Sequence, residues 1–195
     1  RATAHDLDEV TAVFAAAVWD EAVAAWMLPD EERRRALGRS AAFQRYLGAQ
    51  ISDGALVVAG ERQIAGVSVW SRVDGPDLED DHDEVMATVR EIYGPYADRF
   101  VTVMTATADA HPSGRPYVYL AQMAVVPTHR GRGLGSAMLR HGLRIADDDG
   151  LATYLEASTT RNRALYARHG FVDYGPPIQL PDNGPSLRPM LREPA

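Results

Sequence analysis

The sequence lacks cysteine and lysine, since all 20 of its basic residues are arginine. Without cysteine the chain has no disulfides, no thiolate metal ligands and no cysteine nucleophile. Without lysine it has neither a Schiff-base lysine nor the lysine of a phosphate-binding P-loop. It also lacks any apolar run near the roughly 20 residues that span a bilayer. These absences exclude several classes of enzyme and predict a protein that does not enter membranes.

An excess of positive charge is missing as well. The net charge is −7, whereas a protein that binds duplex nucleic acid normally presents a basic face, so we expect no nucleic-acid partner. Hydrophobic residues make up 46% of the chain and charged residues 24%, as in globular proteins. We therefore predict a single domain over residues 1–195. We expect it to be cytoplasmic and to be a monomer or a homodimer.

The first half of the chain predicts helices around one β-hairpin. The apolar runs Ala55–Ala59 and Ile64–Trp70 are joined by the turn residues Gly60–Gln63, which is a hairpin pattern. The other predicted elements are a helix within Thr3–Val18, a helix over Pro29–Ile51, an acidic loop over Asp74–Asp83, and helical residues Glu84–Ala110 with a break at Gly94 and Pro95.

The second half predicts alternating strands and helices. Residues Tyr117–Val126 are rich in β-branched and aromatic side chains and end at Pro127, which indicates a strand. The patterns that follow predict a helix over Leu134–Asp147, a strand over Ala152–Ser158, a helix over Thr160–His169, and short strands over Phe171–Tyr174 and Leu187–Leu191.

A glycine-rich arginine loop, residues 130–135, connects the first of these strands to the next helix. Glycine lets the backbone approach a polyanion, and the free N–H groups at a helix start attract phosphate. Arg130 and Arg132 would add charge-assisted hydrogen bonds. A dinucleotide fingerprint would need glycine where Ser136 stands, although Glu156 lies near the position of its ribose-binding acid. A plain tight turn with solvated arginines also remains open.

Two segments resemble the motifs of one enzyme superfamily. Val125–Gly135 resembles the cofactor motif of the GNAT N-acetyltransferases, Val-x-Pro followed by Arg/Gln-x-x-Gly-x-Gly/Ala. Asn162–Phe171, with Tyr166 and Gly170 inside it, resembles the motif that follows. A narrower likeness, through Tyr154–Ser158 and Leu180–Pro185, is to the subgroup that includes puromycin N-acetyltransferase. Two motifs in the right order are far more specific than either alone.

The resemblance implies an α/β fold with a mixed, mainly antiparallel sheet flanked by helices. Two parallel strands, here Tyr117–Val126 and Ala152–Ser158, would splay apart to admit the pantetheine arm of acetyl-CoA. The residues that the resemblance assigns to acetyl-CoA are Met123, Val125, Arg130, Gly131, Arg132, Gly133, Gly135, Ser136, Asn162 and Tyr166.

The implied reaction is acetyl transfer to the amine of a small molecule, by direct attack of the amine on the thioester. A peptide or protein N-acetyltransferase and a non-catalytic acyl-CoA-binding module are alternatives that the sequence leaves open. By resemblance, Tyr166 protonates the departing CoA sulfur. Tyr166 as a core aromatic is the alternative.

The base that takes the amine's proton is less evident. Relatives carry it on the first splayed strand, at positions that here hold Tyr119 and Ala121. Alanine has no basic group, and tyrosine is a poor base at its reference pKa near 10. Glu156, on the second strand and facing away from Leu155 and Ala157, is our candidate. A structural carboxylate paired with an arginine is the alternative.

The six histidines are scattered, so we predict no metal site. His111 and His129 fall in predicted loops, and we expect both at the surface.

Overall fold

The computed structural model describes residues 1–75 and 82–195, with residues 82–84 described by backbone alone. Most of the predicted acidic loop, Asp74–Asp83, therefore lies outside the described residues. The helices are α1 Leu7–Val18, α2 Ala22–Met27, α3 Glu31–Ala36, α4 Ala41–Ser52, α5 His82–Tyr93, α6 Ala97–Ala108, α7 Leu134–Asp148 and α8 Thr160–Ala167. The strands are β1 Leu56–Ala59, β2 Gly66–Val73, β3 Tyr117–Val125, β4 Ala152–Ala157, β5 Val172–Asp173, β6 Ile178–Gln179 and β7 Ser186–Arg192.

The strands form a mixed sheet in the order β1-β2-β3-β4-β7-β5, and β6 pairs with β7 outside this order. The β3–β4 pair is parallel, and the other described pairs are antiparallel. The predicted fold class, a mixed and mainly antiparallel sheet flanked by helices, is confirmed. Among the described residues, no helix has the length and apolar character to cross a membrane.

Helices cover both faces of the sheet, because alternate side chains of a strand point to opposite faces. Helix α7 packs on one face, where Met138, Leu139 and Leu143 join Leu155 of β4 in one buried cluster. Helices α1 and α4 cover the other face near β1 and β2. The cluster there contains Val10, Phe14, Leu47, Leu56, Val67 and Val69.

The prediction of one helix over Pro29–Ile51 was wrong. The segment folds as α3 and α4, separated by a short 3-10 turn at Leu37–Arg39. Ser40 has extended backbone angles, and its hydroxyl accepts a hydrogen bond from the amide of Phe43, which is how an N-cap begins a new helix. Helix α2 and strand β6 were not predicted, because six and two residues are too few to show a period.

Helix α7 comes close to the sheet at Gly142. A Cβ atom at this position would lie 2.3 Å from the indole ring of Trp70 on β2. The indole is fixed in turn, because its Nε1 donates to the buried hydroxyl of Ser68 at 2.9 Å. Glycine is therefore required for close packing and not for backbone conformation.

We expect Gly142→Ala to lower the free energy of unfolding by about 1–3 kcal/mol, because an overpacked core must shift to accept the methyl group. Gly48→Ala in α4 is the matched control. A Cβ there would meet only Leu7, at an ordinary 3.9 Å, so alanine's higher helix propensity should leave stability unchanged or slightly raised. Urea unfolding of both variants measures the difference. Equal stabilities would show that the Trp70 contact relaxes at no cost.

Candidate active site

A gap opens in the sheet where β3 and β4 part. The two strands pair over three residues, from Tyr117 opposite Ala152 to Tyr119 opposite Tyr154. Beyond that point β3 stays with β2, and β4 stays with β7. The register of β2 against β3 skips Ala121 at the same place, and such a bulge bends a strand away from its neighbour. The predicted splay of the two parallel strands is therefore present in the structure.

The wall of the gap formed by β3 carries main-chain donors. The amide of Val126 donates to the carbonyl of Ala65 at the end next to β2. Main-chain groups of successive residues in a strand point to opposite sides, so the amides of Met123 and Val125 point away from β2 and into the gap. Unpaired strand amides favour a ligand that offers carbonyl oxygens to them.

The glycine-rich loop ends at the start of α7 and leaves space in front of it. Gly131 and Gly133 have φ angles of +80° and +86°, which favour glycine, and a Cβ atom on either would meet no protein atom within 4 Å. No side chain caps α7, whose first N–H groups belong to Leu134, Gly135 and Ser136. Open space before uncapped N–H groups fits the pyrophosphate of acetyl-CoA.

The two loop arginines have different surroundings. Arg130 donates to both carboxylate oxygens of Asp20 and to the carbonyls of Ala17 and Val125, so four of the five N–H groups of its guanidinium are engaged within the protein. It fastens the loop to the end of α1, a contact between residues 110 positions apart. Arg132 is exposed and lines a cavity of about 230 Å³ with Arg62 and His129. Of the two side chains, Arg132 is the one available to a phosphate.

Helix α8 places Asn162 and Tyr166 beside the gap. Thr159 caps the helix by accepting the amide of Asn162, whose side-chain amide contacts Ser158 at the end of β4. Tyr166 is 6% exposed and packs edge-on against Phe171, with ring centroids 5.9 Å apart. Among the described residues, Glu21 and Glu156 act on its hydroxyl through their charge and not through a hydrogen bond. The ring therefore belongs to the buried core, whereas the hydroxyl is free to contact a ligand.

Burial raises the pKa of Tyr166, and the negative charges of Glu21 and Glu156 raise it further. The phenol therefore stays protonated through the neutral range and is a proton donor, as a general acid must be. Both carboxylates lie near enough to act on this hydroxyl through their charge.

Glu156 is the buried carboxylate of the gap. Its side chain is 6% exposed, and its Oε2 accepts a hydrogen bond from the Tyr119 hydroxyl at 2.9 Å. It lies two residues beyond the last β3–β4 pair and faces away from Leu155 and Ala157, which belong to the core cluster under α7. No arginine pairs with Glu156 among the described residues. The alternative that Glu156 is a structural carboxylate paired with an arginine is therefore not supported.

His111 lies in the loop before β3, as expected, but it is only partly at the surface, because its side chain is 21% exposed. Its ring packs against Tyr119 and Tyr154, with centroids 4.6 and 4.8 Å away, and its Nε2 lies 3.4 Å from Glu156 Oε1. No sequence pattern indicated these contacts, because His111 precedes β3 in a loop and Glu156 follows 45 residues later on another strand. His129, by contrast, is in the loop before α7, and among the described residues its side chain hydrogen-bonds only the neighbouring Thr128.

Sequence reasoning also missed Glu21. Its Oε2 caps α2 by accepting the amide of Ala24 at 2.8 Å, while its Oε1 is buried without a hydrogen-bond partner among the described residues. A capping pattern was the only signal available, and it identifies a helix start without identifying a site. A second carboxylate thus contributes negative charge close to Tyr166.

The residues around the gap can hold a proton donor and a proton acceptor at the same place. Tyr166 offers a buried phenol, and Glu156 offers a buried carboxylate. Burial, followed by the charge of Glu156 and the hydrogen bond to it, raises the pKa of Tyr119, so that phenol remains a donor to the carboxylate and is no base. In the described ranges 1–75 and 82–195, no three acidic or histidine side chains lie close enough together to hold a metal ion. That the protein has no metal site remains a prediction.

Solved structures with the same fold are acetyltransferases. A Corynebacterium glutamicum protein described as histone acetyltransferase HPA2 and related acetyltransferase is 27% identical, with a TM-score of 0.66 over 100% of this chain and 94% of that one. Arylalkylamine N-acetyltransferase 2 of Aedes aegypti is 13% identical, with a TM-score of 0.72 over 98% and 96%. Polyamine N-acetyltransferase of Drosophila melanogaster, which forms N-acetylagmatine, is 16% identical, with a TM-score of 0.57 over 99% and 97%.

The sequence model of the acetyltransferase (GNAT) family matches residues 15–171, which include the gap, the glycine-rich loop and α8. The strand splay, the loop and the buried tyrosine agree with that match. The chain is an N-acetyltransferase that belongs to the acetyltransferase (GNAT) family.

Proposed function

We propose that this enzyme transfers the acetyl group of acetyl-CoA to the amine of a small molecule, by direct attack of the amine on the thioester. The observation that carries the proposal is the gap between β3 and β4. One wall offers strand amides, and a buried carboxylate lies near enough to a buried phenol to act on it through its charge, with no arginine paired to that carboxylate among the described residues.

Acetyl-CoA supplies an acetyl group already activated as a thioester. In this chain the amides of Met123 and Val125 would hold its pantetheine arm, and Asn162 would orient the end of β4 beside it. The loop from Gly131 to Gly133 would hold the pyrophosphate, with Arg132 as the charged side chain. Gly135 and Ser136 would add N–H groups of the first turn of α7. Arg130 would support this loop through Asp20.

Side chains of this protein would then transfer the protons of the reaction. An alkylamine with a reference pKa near 10.4 is neutral in only about one molecule in 10³ at pH 7, so a base is needed. Glu156 takes the amine's proton, and Tyr119 holds that carboxylate in place. Tyr166 gives its proton to the departing sulfur and regains one from the same nitrogen, which loses its second proton as the amide forms. A strand amide in the gap stabilises negative charge on the acetyl oxygen.

A small, cationic acceptor fits the buried negative charge of Glu156 and Glu21. The insect neighbours named above act on arylalkylamines and on agmatine by their own descriptions. The likeness of Tyr154–Ser158 and Leu180–Pro185 to the puromycin N-acetyltransferase subgroup adds aminonucleosides to the candidates.

We further propose that residues 1–195 work as one catalytic domain, since β7 lies inside the sheet between β4 and β5. We propose the cytoplasm as its location, because acetyl-CoA is used there.

A peptide or protein acceptor is the second candidate. It is favoured by the 27% identity to the Corynebacterium glutamicum protein described as a histone acetyltransferase. The deciding experiment measures CoA release from acetyl-CoA with a panel of alkylamines, arylalkylamines, polyamines, aminonucleosides and basic peptides. Turnover with small amines and none with peptides supports the proposal, and the reverse replaces it with the second candidate. Binding of acetyl-CoA without turnover of any acceptor would indicate a non-catalytic module.

Gly133→Val should weaken acetyl-CoA and CoA binding at least about tenfold, because its side chain fills the space in front of α7 where we place the pyrophosphate. Gly150→Val is the matched control. Gly150 follows the other end of α7, has φ of +66° and also meets no protein atom, so it shares the backbone strain without touching the loop. Calorimetric titration of the two folded variants gives the comparison. An unchanged affinity in Gly133→Val would overturn the assignment of the loop.

A further inference from the structure

One group beside Glu156 has no part in the reaction described so far. His111, in the segment between α6 and β3, has its Nε2 atom 3.4 Å from Glu156 Oε1. The side chain of Glu156 is 6% exposed, whereas that of His111 is 21% exposed. The imidazole thus connects a buried carboxylate to solvent.

A buried base must lose its proton before the next turnover. Glu156 has little contact with water, so direct release is hindered. An imidazole is suited to help, because it takes and gives protons near neutral pH and its reference pKa lies about 2 units above that of a carboxylic acid.

We propose that His111 carries the proton of the acceptor amine from Glu156 to solvent, a step that rests on the function proposed above. The amine nitrogen gives its proton to a carboxylate oxygen of Glu156. The carboxylic acid so formed gives it to Nε2 of neutral His111, and the imidazolium then releases one proton to water. Both side chains are thereby restored. His111 acts through Glu156 and touches neither the amine nor the acetyl group.

The surroundings of His111 suit this step. For Nε2 to accept a proton, the neutral ring must carry its hydrogen on Nδ1, from which it donates to the Tyr117 hydroxyl 2.6 Å away. The separation of 3.4 Å between Nε2 and Oε1 is longer than a hydrogen bond, and such contacts commonly tighten when substrate binds.

The titratable groups that face the imidazole come from β3 and β4. They are Tyr117 and Tyr119 on β3 and Tyr154 and Glu156 on β4. Burial, followed by the charge of Glu156, raises the pKa of Tyr119 and of Tyr154, so these phenols keep their protons near neutral pH. Among these described neighbours, Glu156 is the partner with which His111 exchanges a proton.

The test compares His111→Ala and His111→Gln with the parent enzyme, using an amine that the parent acetylates and increasing concentrations of imidazole. We expect kcat of His111→Ala to fall at least about tenfold, less than the 10²–10⁴ of a group that acts on the substrate. Added imidazole should restore kcat by entering the space of the lost ring. The kcat of His111→Gln should fall by a similar factor, and imidazole should not restore it. Glutamine fills the space of the ring and has no group that takes up and releases a proton. His5→Ala, at an exposed position, should behave as the parent.

A folded His111→Ala enzyme with the parental kcat, or with a loss that imidazole does not restore, overturns the relay. If His111→Ala does not fold, the test rests on His111→Gln. An unchanged kcat in that variant overturns the proposal, and a reduced kcat supports it. A parent enzyme that releases no CoA with any amine is a different result, and it overturns the proposed function itself.

Discussion

Tyr166→Phe is expected to lower kcat by about 10²–10⁴ while leaving acetyl-CoA affinity nearly unchanged, which is the usual effect of losing a general acid. The ring is buried against Phe171, and phenylalanine keeps this packing. Only the hydroxyl is lost, and among the described residues Glu21 and Glu156 act on it through their charge and not through a hydrogen bond. Steady-state kinetics with any accepted amine, together with calorimetric binding of acetyl-CoA, measure the two quantities.

Tyr93→Phe is the control for removing a buried phenol. Burial raises the pKa of Tyr93 as it does that of Tyr166, but Tyr93 ends α5 and packs on Phe100, outside the elements that form the gap. It should keep the parental kcat. A Tyr166→Phe enzyme within a factor of about three of the parent would make Tyr166 a packing residue. Another group would then protonate the sulfur.

Glu156→Gln is expected to lower kcat/KM by about 10² or more for strongly basic amines, and by less for weakly basic ones. A strongly basic amine arrives as a cation and must be deprotonated, whereas a weakly basic amine is already largely neutral at pH 7. Glutamine still offers an oxygen to the Tyr119 hydroxyl, so the variant removes the charge and the basic group while the contact is kept. The measurement is kcat/KM for an alkylamine and for an aniline-like amine in both enzymes.

Tyr119→Phe separates the base from its support. It removes the 2.9 Å hydrogen bond to Glu156 but leaves the carboxylate, so a smaller loss is expected for both amines. If Glu156→Gln were as active as the parent with both amines, the base would be elsewhere. The simplest replacement is a water molecule held by backbone carbonyls and by the Tyr119 hydroxyl.

The local elements of the cofactor side were predictable from the sequence. The predicted strands Tyr117–Val126 and Ala152–Ser158 end within one residue of β3 and β4, and the helix Leu134–Asp147 corresponds to α7. These segments carry strong periodic or β-branched patterns and are bounded by proline and glycine. Helix α3 and helix α4 were merged because a serine cap inside an otherwise helical stretch is a weak signal.

The surroundings of the candidate base were not predictable. Because side chains alternate along a strand, the sequence placed Glu156 on the face of the strand opposite to that of Leu155 and Ala157. It could not bring in His111, and it could not show that the guanidinium of Arg130 donates to Asp20. Glu21 carried only the pattern of a helix cap.

The sequence by itself determined the family, the order of strand, glycine loop and helix, and the face of β4 that carries Glu156. Each of these depends on backbone geometry within about one or two turns of chain, and adjacent residues specify that geometry. Only the tertiary structure decided which side chains meet in the gap. Glu21, His111, Glu156 and Tyr166 lie on separate elements, and their meeting depends on how helices pack on the sheet and where β3 leaves β4. Contacts between distant residues arise from packing of the whole core, which no local pattern encodes.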